Sequence, residues 1–180
     1  VELAQAHRHL GCQVTVLEMF SIMPKDDHEL VDVVRHRLIE EGINILENSR
    51  ISRIEKTTSG VRVIAECDGQ EIAFEGDRLL VAAGRRPNVH GLGLSQAGVV
   101  HSDKGIEVDA RLRTSNKKVF AIGDVAGGYQ FTHMAGYHAG VVIKNVLFRL
   151  PAKVDYRAVP WVTYTTPESA QVGMTEAEAQ

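Results

Sequence analysis

Val119-Phe-Ala-Ile-Gly-Asp124-Val-Ala-Gly127 is the stretch whose reading decides the fold. Val119 to Ile122 are apolar and β-prone, and they run straight into Gly-Asp, then into small residues and the pair Gly127-Gly128. The pattern predicts a buried parallel strand ending at the carboxyl edge of a sheet, where α/β folds hold ligands. Gly123, lacking a Cβ, lets the backbone pass close to a ligand, and Gly127-Gly128 free the chain to turn toward a helix. Asp124 sets a carboxylate at the strand tip, suited to accepting hydrogen bonds from hydroxyls. Taken alone, the residues read equally well as a strand ending in a turn that contains an aspartate.

Downstream, Gln130-Phe-Thr-His133 leads into an apolar helix expected from Met134 to about Leu150. Its inner side is read as Ala135, Ala139, Val142, Ile143, Val146 and Leu147, with Pro151 ending it. Thr132 stands where it can cap the helix, whose N-terminus presents free N–H groups and a partial positive charge. Residues 155 to 180 turn to aromatic and β-branched character, and Thr175 with Glu178 has the spacing of a capping box before a helix at Glu176-Ala-Glu-Ala-Gln180.

Upstream, Asp77-Arg-Leu-Leu-Val-Ala82 is expected as the last parallel strand, closed by Ala83-Gly84-Arg85-Arg86-Pro87-Asn88. Gly84 permits close approach to a ligand and Pro87 stiffens the exit, while Arg85 and Arg86 read as easily as a solvated pair. Val89 to Ser115 is loop-rich, with Ile106 to Val108 and Leu112 as short strand candidates. Before it lie three alternating runs, Ile51 to Thr57, Val61 to Cys67 and Glu71 to Phe74. Ser59-Gly60 and Asp68-Gly69 separate them, which predicts an antiparallel meander.

At the start, Val1, Leu3, Ala4, Ala6 and Leu10 form a helical apolar set ended by Gly11. Gln13 to Leu17 is a strand with Glu18 at its tip. A helix follows, capped by Asp26 or Asp27 and ended by Gly42, and then a strand over Ile43 to Leu46. Helix, glycine, strand and terminal Glu make the second half of a dinucleotide-binding βαβ unit, whose acid accepts the ribose hydroxyls of NAD. The glycine loop of such a unit would lie before residue 1, and a plain surface acid at a strand end is the competing reading of Glu18.

A length of 180 residues suits one domain or two small ones, and 44% hydrophobic with 24% charged residues is ordinary for a globular chain. The net charge of −3 leaves no basic footprint for nucleic acid. No apolar run approaches the ~20 residues needed to cross a bilayer, and no signal peptide is visible. Cys12 and Cys67 have neither metal nor Cys-x-x-Cys spacing and suit a reduced, cytoplasmic setting. The eight histidines lack acidic or thiolate company at ligand spacing, so no metal site is expected; they read as surface or core residues, with His133 alone of interest. A chain that opens mid-helix and stops as another helix begins reads as a piece of something longer.

As an ordered set these segments resemble the class I pyridine nucleotide-disulfide oxidoreductases, the flavoenzyme family of dihydrolipoamide dehydrogenase, glutathione reductase and mercuric reductase. The resemblance covers essentially the whole chain, as an internal fragment. It implies an α/β fold with two dinucleotide-binding domains, for FAD and NAD(P), a parallel sheet plus an antiparallel β-meander, and the start of an α+β interface domain. Residues 1–83 would be the C-terminal part of the NAD-binding domain, 84–152 the second segment of the FAD-binding domain, and 153–180 the opening of the dimerising interface domain.

By that resemblance, Glu2 in Val1-Glu2-Leu3-Ala4 lies beside the nicotinamide ring, Glu18 binds ribose, and Ile51 lines the adenine of NAD. Gly84 faces the dinucleotide within an Ala-x-Gly-Arg-x-Pro-Asn signature. Gly123 and Asp124 form the second flavin motif, with Asp124 on the ribityl chain of FAD. Gln130, Phe131, Thr132 and His133 sit at the helix end that points at the flavin pyrimidine. Gly136 departs from the pattern, since relatives commonly carry glutamate there, and glycine inside a helix costs ~1 kcal/mol relative to alanine.

The implied activity is passage of hydride from NADH through FAD to a disulfide or metal-ion acceptor, in the manner of dihydrolipoamide dehydrogenase or mercuric reductase. Met19 after Glu18, with Lys25 as the nearby cation, favours NADH over NADPH, because a carboxylate repels a 2′-phosphate. The family's Cys-x4-Cys pair would precede residue 1 and its His-Glu acid/base pair would follow residue 180. No catalytic residue is therefore assigned, and the fragment alone is expected to be inactive. A flavin NADH oxidase or ferredoxin-type reductase without the redox disulfide, and a non-catalytic interaction module, stay open. A homodimer is the expected state of the parent.

Overall fold

The computed structural model describes residues 1–179, so Gln180, the last residue of the helix expected at the end of the chain, lies outside the described residues. Packing divides the chain into two units: Val1–Val81 together with the segment from Arg157 onward, and Ala82–Tyr156.

In the first unit, helix α1 (Glu2–His9) ends where Gly11 takes a φ of +91°. Strand β1 (Thr15–Leu17) lies parallel to β2 (Asn44–Leu46), the two joined through helix α2 (His28–Glu40), as the βαβ reading expects. Val31, Val34 and Leu38 repeat at helical spacing along one face of α2 and close on Ile22 and Ile43. Val1, Val14, Val16, Met23 and Ile45 pack around that core. The other side of α2 leaves Leu30 and Val33 exposed.

Asp27 holds the N-cap position of α2 by its backbone, but its carboxylate does not cap. It accepts the N–H of Glu176 (3.1 Å), and Asp26 accepts the indole N–H of Trp161 (2.7 Å). Both acids thus serve a tertiary contact with the returning segment in place of the local cap expected of them. That segment forms the antiparallel pair β8 (Pro160–Thr163) and β9 (Ser169–Val172), then the short α4 (Glu176–Ala179). The expected capping box is present: Thr175 N–H donates to Glu178 Oε2 (3.0 Å) and Glu178 N–H to Thr175 Oγ1 (3.2 Å).

The meander is three antiparallel strands, β3 (Ser49–Lys56), β4 (Val61–Cys67) and β5 (Gln70–Gly76), with β4 in the middle. Asp68 and Gly69, both at positive φ, make the tight β4–β5 turn. Val63, Ile64, Ala65 and Cys67 are buried, while cross-strand pairs Arg53–Glu71 (2.7 Å) and Arg62–Glu75 (2.6 Å) lie exposed.

The second unit holds the small hairpin β6 (His101–Ser102) and β7 (Gly105–Ile106), a 3-10 turn at Gly123–Ala126, and helix α3 (Thr132–Val146). Its core is Val89, Val99, Ile106 and Ala121, with Leu94, Val108, Val119, Val125 and Ala126 against it.

Three expectations are corrected here. Val119–Ile122 is extended but is no parallel strand: Phe120 makes one antiparallel bridge, to Arg113, and Ala121 N–H donates to Leu112 C=O (3.2 Å). Asp77–Ala82 is likewise not a strand, and Leu80 and Val81 are exposed. A parallel strand exists only as one side of a ladder, and among the described residues neither segment has a parallel partner. Helix α3 stops at Val146 rather than near Leu150, and its buried stripe is Met134, His138 and Val141, whereas Ile143, Val146 and Leu147 are exposed. The apolar positions suggested a different inner face because a histidine holds the central place on the true one.

Candidate functional site

The geometry around Asp124 begins with its neighbour. Gly123 sits at φ +68°, and a Cβ there would come 3.1 Å from the Cβ of Ala135, so the close approach it allows is to α3. Its N–H donates to Nδ1 of His138 (3.1 Å). A backbone N–H can only donate, so Nδ1 is the acceptor and the neutral ring carries its proton on Nε2, which donates to the hydroxyl of Tyr156 (3.0 Å). His138 is 1% exposed, and burial pushes its pKa down, which keeps the ring in that neutral form. From the other side Gly105 (φ +130°) fits beneath the turn, where a Cβ would meet Val125 C=O at 2.7 Å.

The 3-10 turn is therefore clamped between a hairpin and a helix. Asp124 projects from it with an exposed side chain, and its own C=O accepts the N–H of Gly127 (3.1 Å). Among the described residues no group hydrogen-bonds its carboxylate.

Helix α3 begins beside this turn in sequence, but Thr132 does not cap it. Phe131 holds the N-cap position in extended geometry, and Thr132 is the first helical residue with no side-chain cap bond. Met134 N–H donates to Phe131 C=O (3.0 Å), which leaves the amides of Thr132 and His133 without a partner inside the helix. The rings of Tyr129 and Phe131 stack at 6.0 Å, and Phe131 and His133 at 5.4 Å within 9° of parallel. Arg85 is not merely solvated: its guanidinium donates to Gln130 C=O (3.0 Å) and ties the Gly84–Asn88 signature to the approach of α3. Gly84 and Gly136 have open space where a Cβ would stand.

In the first unit Glu18 follows β1 directly. Its N–H donates to Leu46 C=O (2.9 Å) and one carboxylate oxygen accepts the N–H of Phe20 (3.1 Å), so the side chain is oriented at the carboxyl end of the parallel pair. Glu2 is held by one carboxylate oxygen: its Oε1 accepts the N–H of Tyr164 (2.7 Å). Ile51 is 45% exposed on β3, opposite Ala65. The predicted residues thus fall into two groups, Glu2, Glu18 and Ile51 in one unit and Gly84, Gly123, Asp124 and Gln130–His133 in the other.

Both groups fit dinucleotides. An oriented acid at the end of a parallel strand after a helix is the arrangement that receives a ribose diol. An unbonded carboxylate on a glycine turn, followed by a helix start with unpartnered N–H groups, offers an acceptor for hydroxyls and donors for an electron-rich ring edge. Among the described residues no group of three or more His, Cys, Asp or Glu is placed to hold a metal, and no helix is long and apolar enough to cross a membrane.

Sequence reading missed two polar anchors. His138 lay on a helix read as apolar, and only its spacing from Met134 hinted at burial. Gln5, 3% exposed, clasps the backbone of Thr166 from both sides, donating to its C=O (3.0 Å) and accepting its N–H (2.8 Å), and also donates to Glu41 (3.0 Å).

Residues 1–139 match the family model described as pyridine nucleotide-disulphide oxidoreductase. The chain is 38% identical to a mercuric reductase of Lysinibacillus sphaericus over 182 aligned residues, covering 100% of this chain and 33% of that protein. It is also 38% identical to a dihydrolipoyl dehydrogenase of Staphylococcus aureus, covering 99% of this chain and 38% of the relative. Among solved structures, the HOCl-induced flavoprotein disulfide reductase RclA from Escherichia coli, as its Cu(II) complex, superposes with a TM-score of 0.87 at 32% identity, over 98% of this chain and 41% of RclA. LpdA from Mycobacterium tuberculosis gives 0.87 at 27% identity, over 98% of this chain and 38% of LpdA. The chain spans about a third of the length of the curated relatives it matches.

Proposed function

The chain belongs to the pyridine nucleotide-disulphide oxidoreductase family, and on that premise we propose that it is part of an FAD-dependent enzyme that passes hydride from NADH to a disulfide or metal-ion acceptor. FAD, when bound, supplies the redox chemistry, and the protein supplies position and electrostatics. Asp124 holds the ribityl hydroxyls. The amides of Thr132 and His133, at the positive end of α3, favour negative charge on the pyrimidine edge of the ring system. Glu18 accepts the ribose hydroxyls of the nicotinamide dinucleotide, and Glu2 and Ile51 serve its nicotinamide and adenine ends. Gly84 lets the backbone approach a dinucleotide.

NADH is the favoured donor. Glu18 repels a 2′-phosphate, the next residue is Met19, and Lys25 is the cation of this turn. The three segments 1–83, 84–152 and 153–180 contribute to NAD-binding, FAD-binding and interface domains, and the assembled enzyme is a cytoplasmic homodimer.

The observation that carries the reading is the exposed Asp124 carboxylate, unbonded among the described residues, on a turn that Gly105, Ala135 and His138 hold in place. The purified intact protein should be yellow and keep its flavin through gel filtration, and Asp124→Ala should release it. A colourless protein that takes up no added FAD would end the proposal. Rates of NADH oxidation with lipoamide, Hg(II) and oxygen as rival acceptors then assign the acceptor: oxygen alone would make it an oxidase.

A further inference from the structure

His138 stands outside every group of residues predicted to touch a cofactor, yet its ring reaches the backbone of the residue before Asp124. The ring is fixed at both ends. Nδ1 accepts the buried N–H of Gly123 (3.1 Å), and Nε2 donates to Tyr156 (3.0 Å), whose ring stands edge-on to the imidazole at 5.9 Å. Tyr156 is held close to α3 in turn, because the neighbouring Asp155 donates its N–H to the hydroxyl of Tyr137 on that helix (2.8 Å). Ala135, one turn before His138, packs at the same glycine.

We propose that His138 is a positioning residue for Asp124: by holding the Gly123 N–H it sets the turn that aims the Asp124 carboxylate at FAD. This rests on the reading of Asp124 as the acid that binds FAD. An apolar side chain of equal size would fill the same space and leave the Gly123 N–H buried without an acceptor. The turn would then relax to find one and carry the carboxylate with it. A histidine does what a leucine cannot because a buried donor left unpaired is costly.

Two amide variants separate the ring's ends. In His138→Asn the side-chain oxygen takes the place of Nδ1, and in His138→Gln the amide takes the place of Nε2. In the intact protein, His138→Gln should weaken FAD binding by about tenfold and speed exchange of the Gly123 amide by a similar factor, the cost of one buried donor without its acceptor. His138→Asn should restore both. In wild type the 15N shifts of the imidazole should report Nδ1 unprotonated and Nε2 protonated. Equal weakening by Asn and Gln would reduce His138 to a packing residue, and a ring protonated on Nδ1 would exclude the bond to Gly123. Unchanged FAD binding by the Gln variant overturns the proposal alone, whereas a wild-type protein that takes up no FAD removes its premise.

Discussion

Asp109 and His138 show how single groups in this protein are tuned by what surrounds them. Partial desolvation would raise the Asp109 carboxyl, but the Arg113 guanidinium (2.8 Å) and the N–H groups of Arg113 and Arg111 outweigh it and lower its pKa to about 2. A depressed carboxyl pKa means the unfolded chain binds the proton more readily, so the contribution to stability is full above the ordinary value of 3.8 and is lost as pH falls through about 2. Urea midpoints measured down that range should fall more steeply for wild type than for Asp109→Asn. His138 acts at higher pH with the same sign. Burial holds its folded pKa below the ordinary histidine value of 6.5, so stability is full above about pH 6.5 and declines as the pH drops below it. The Tyr137 and Tyr156 rings are the titratable neighbours in contact with it, and His138→Asn should remove that arm of the pH profile.

At the scale of elements, the turn before α3 and the clasp on α1 make contrasting predictions. Gly123→Ala places a Cβ in the left-handed region and 3.1 Å from Ala135, so it should cost about 1–2 kcal/mol from backbone strain before any crowding is added. Denaturant unfolding would measure it, and the variant should lose flavin along with stability. Gln5→Ala removes both part-buried hydrogen bonds to the backbone of Thr166, at about 0.5–1.5 kcal/mol each, and should cost about 1–3 kcal/mol with no effect on flavin, since its contacts lie in the other unit. Val146 at the end of α3 and Leu147, Phe148 and Leu150 just beyond it are exposed to solvent. Phe148→Lys should therefore reduce light scattering by the isolated 180-residue chain while leaving its circular dichroism unchanged.

At the scale of the molecule, much of the architecture was legible in the sequence, and what was legible had a local cause. The helix between Asp27 and Gly42, the Asp68-Gly69 turn between alternating runs, and Thr175 with Glu178 all express short-range preferences, and each appears where it was expected. The order of motifs around Asp124 and Glu18 carried the family in the same way. Tertiary structure alone decided the rest, because those outcomes depend on partners distant in the chain. Whether Val119–Ile122 and Asp77–Ala82 count as strands depends on a neighbouring ladder, which no local pattern supplies. Asp26 and Asp27 bind Trp161 and Glu176 instead of capping α2 because folding brings those distant donors within hydrogen-bond reach. Gln5 and His138 became anchors only when packing buried their side chains against the backbone N–H groups of Thr166 and Gly123, since a polar side chain has no assigned partner until burial removes water from the competition.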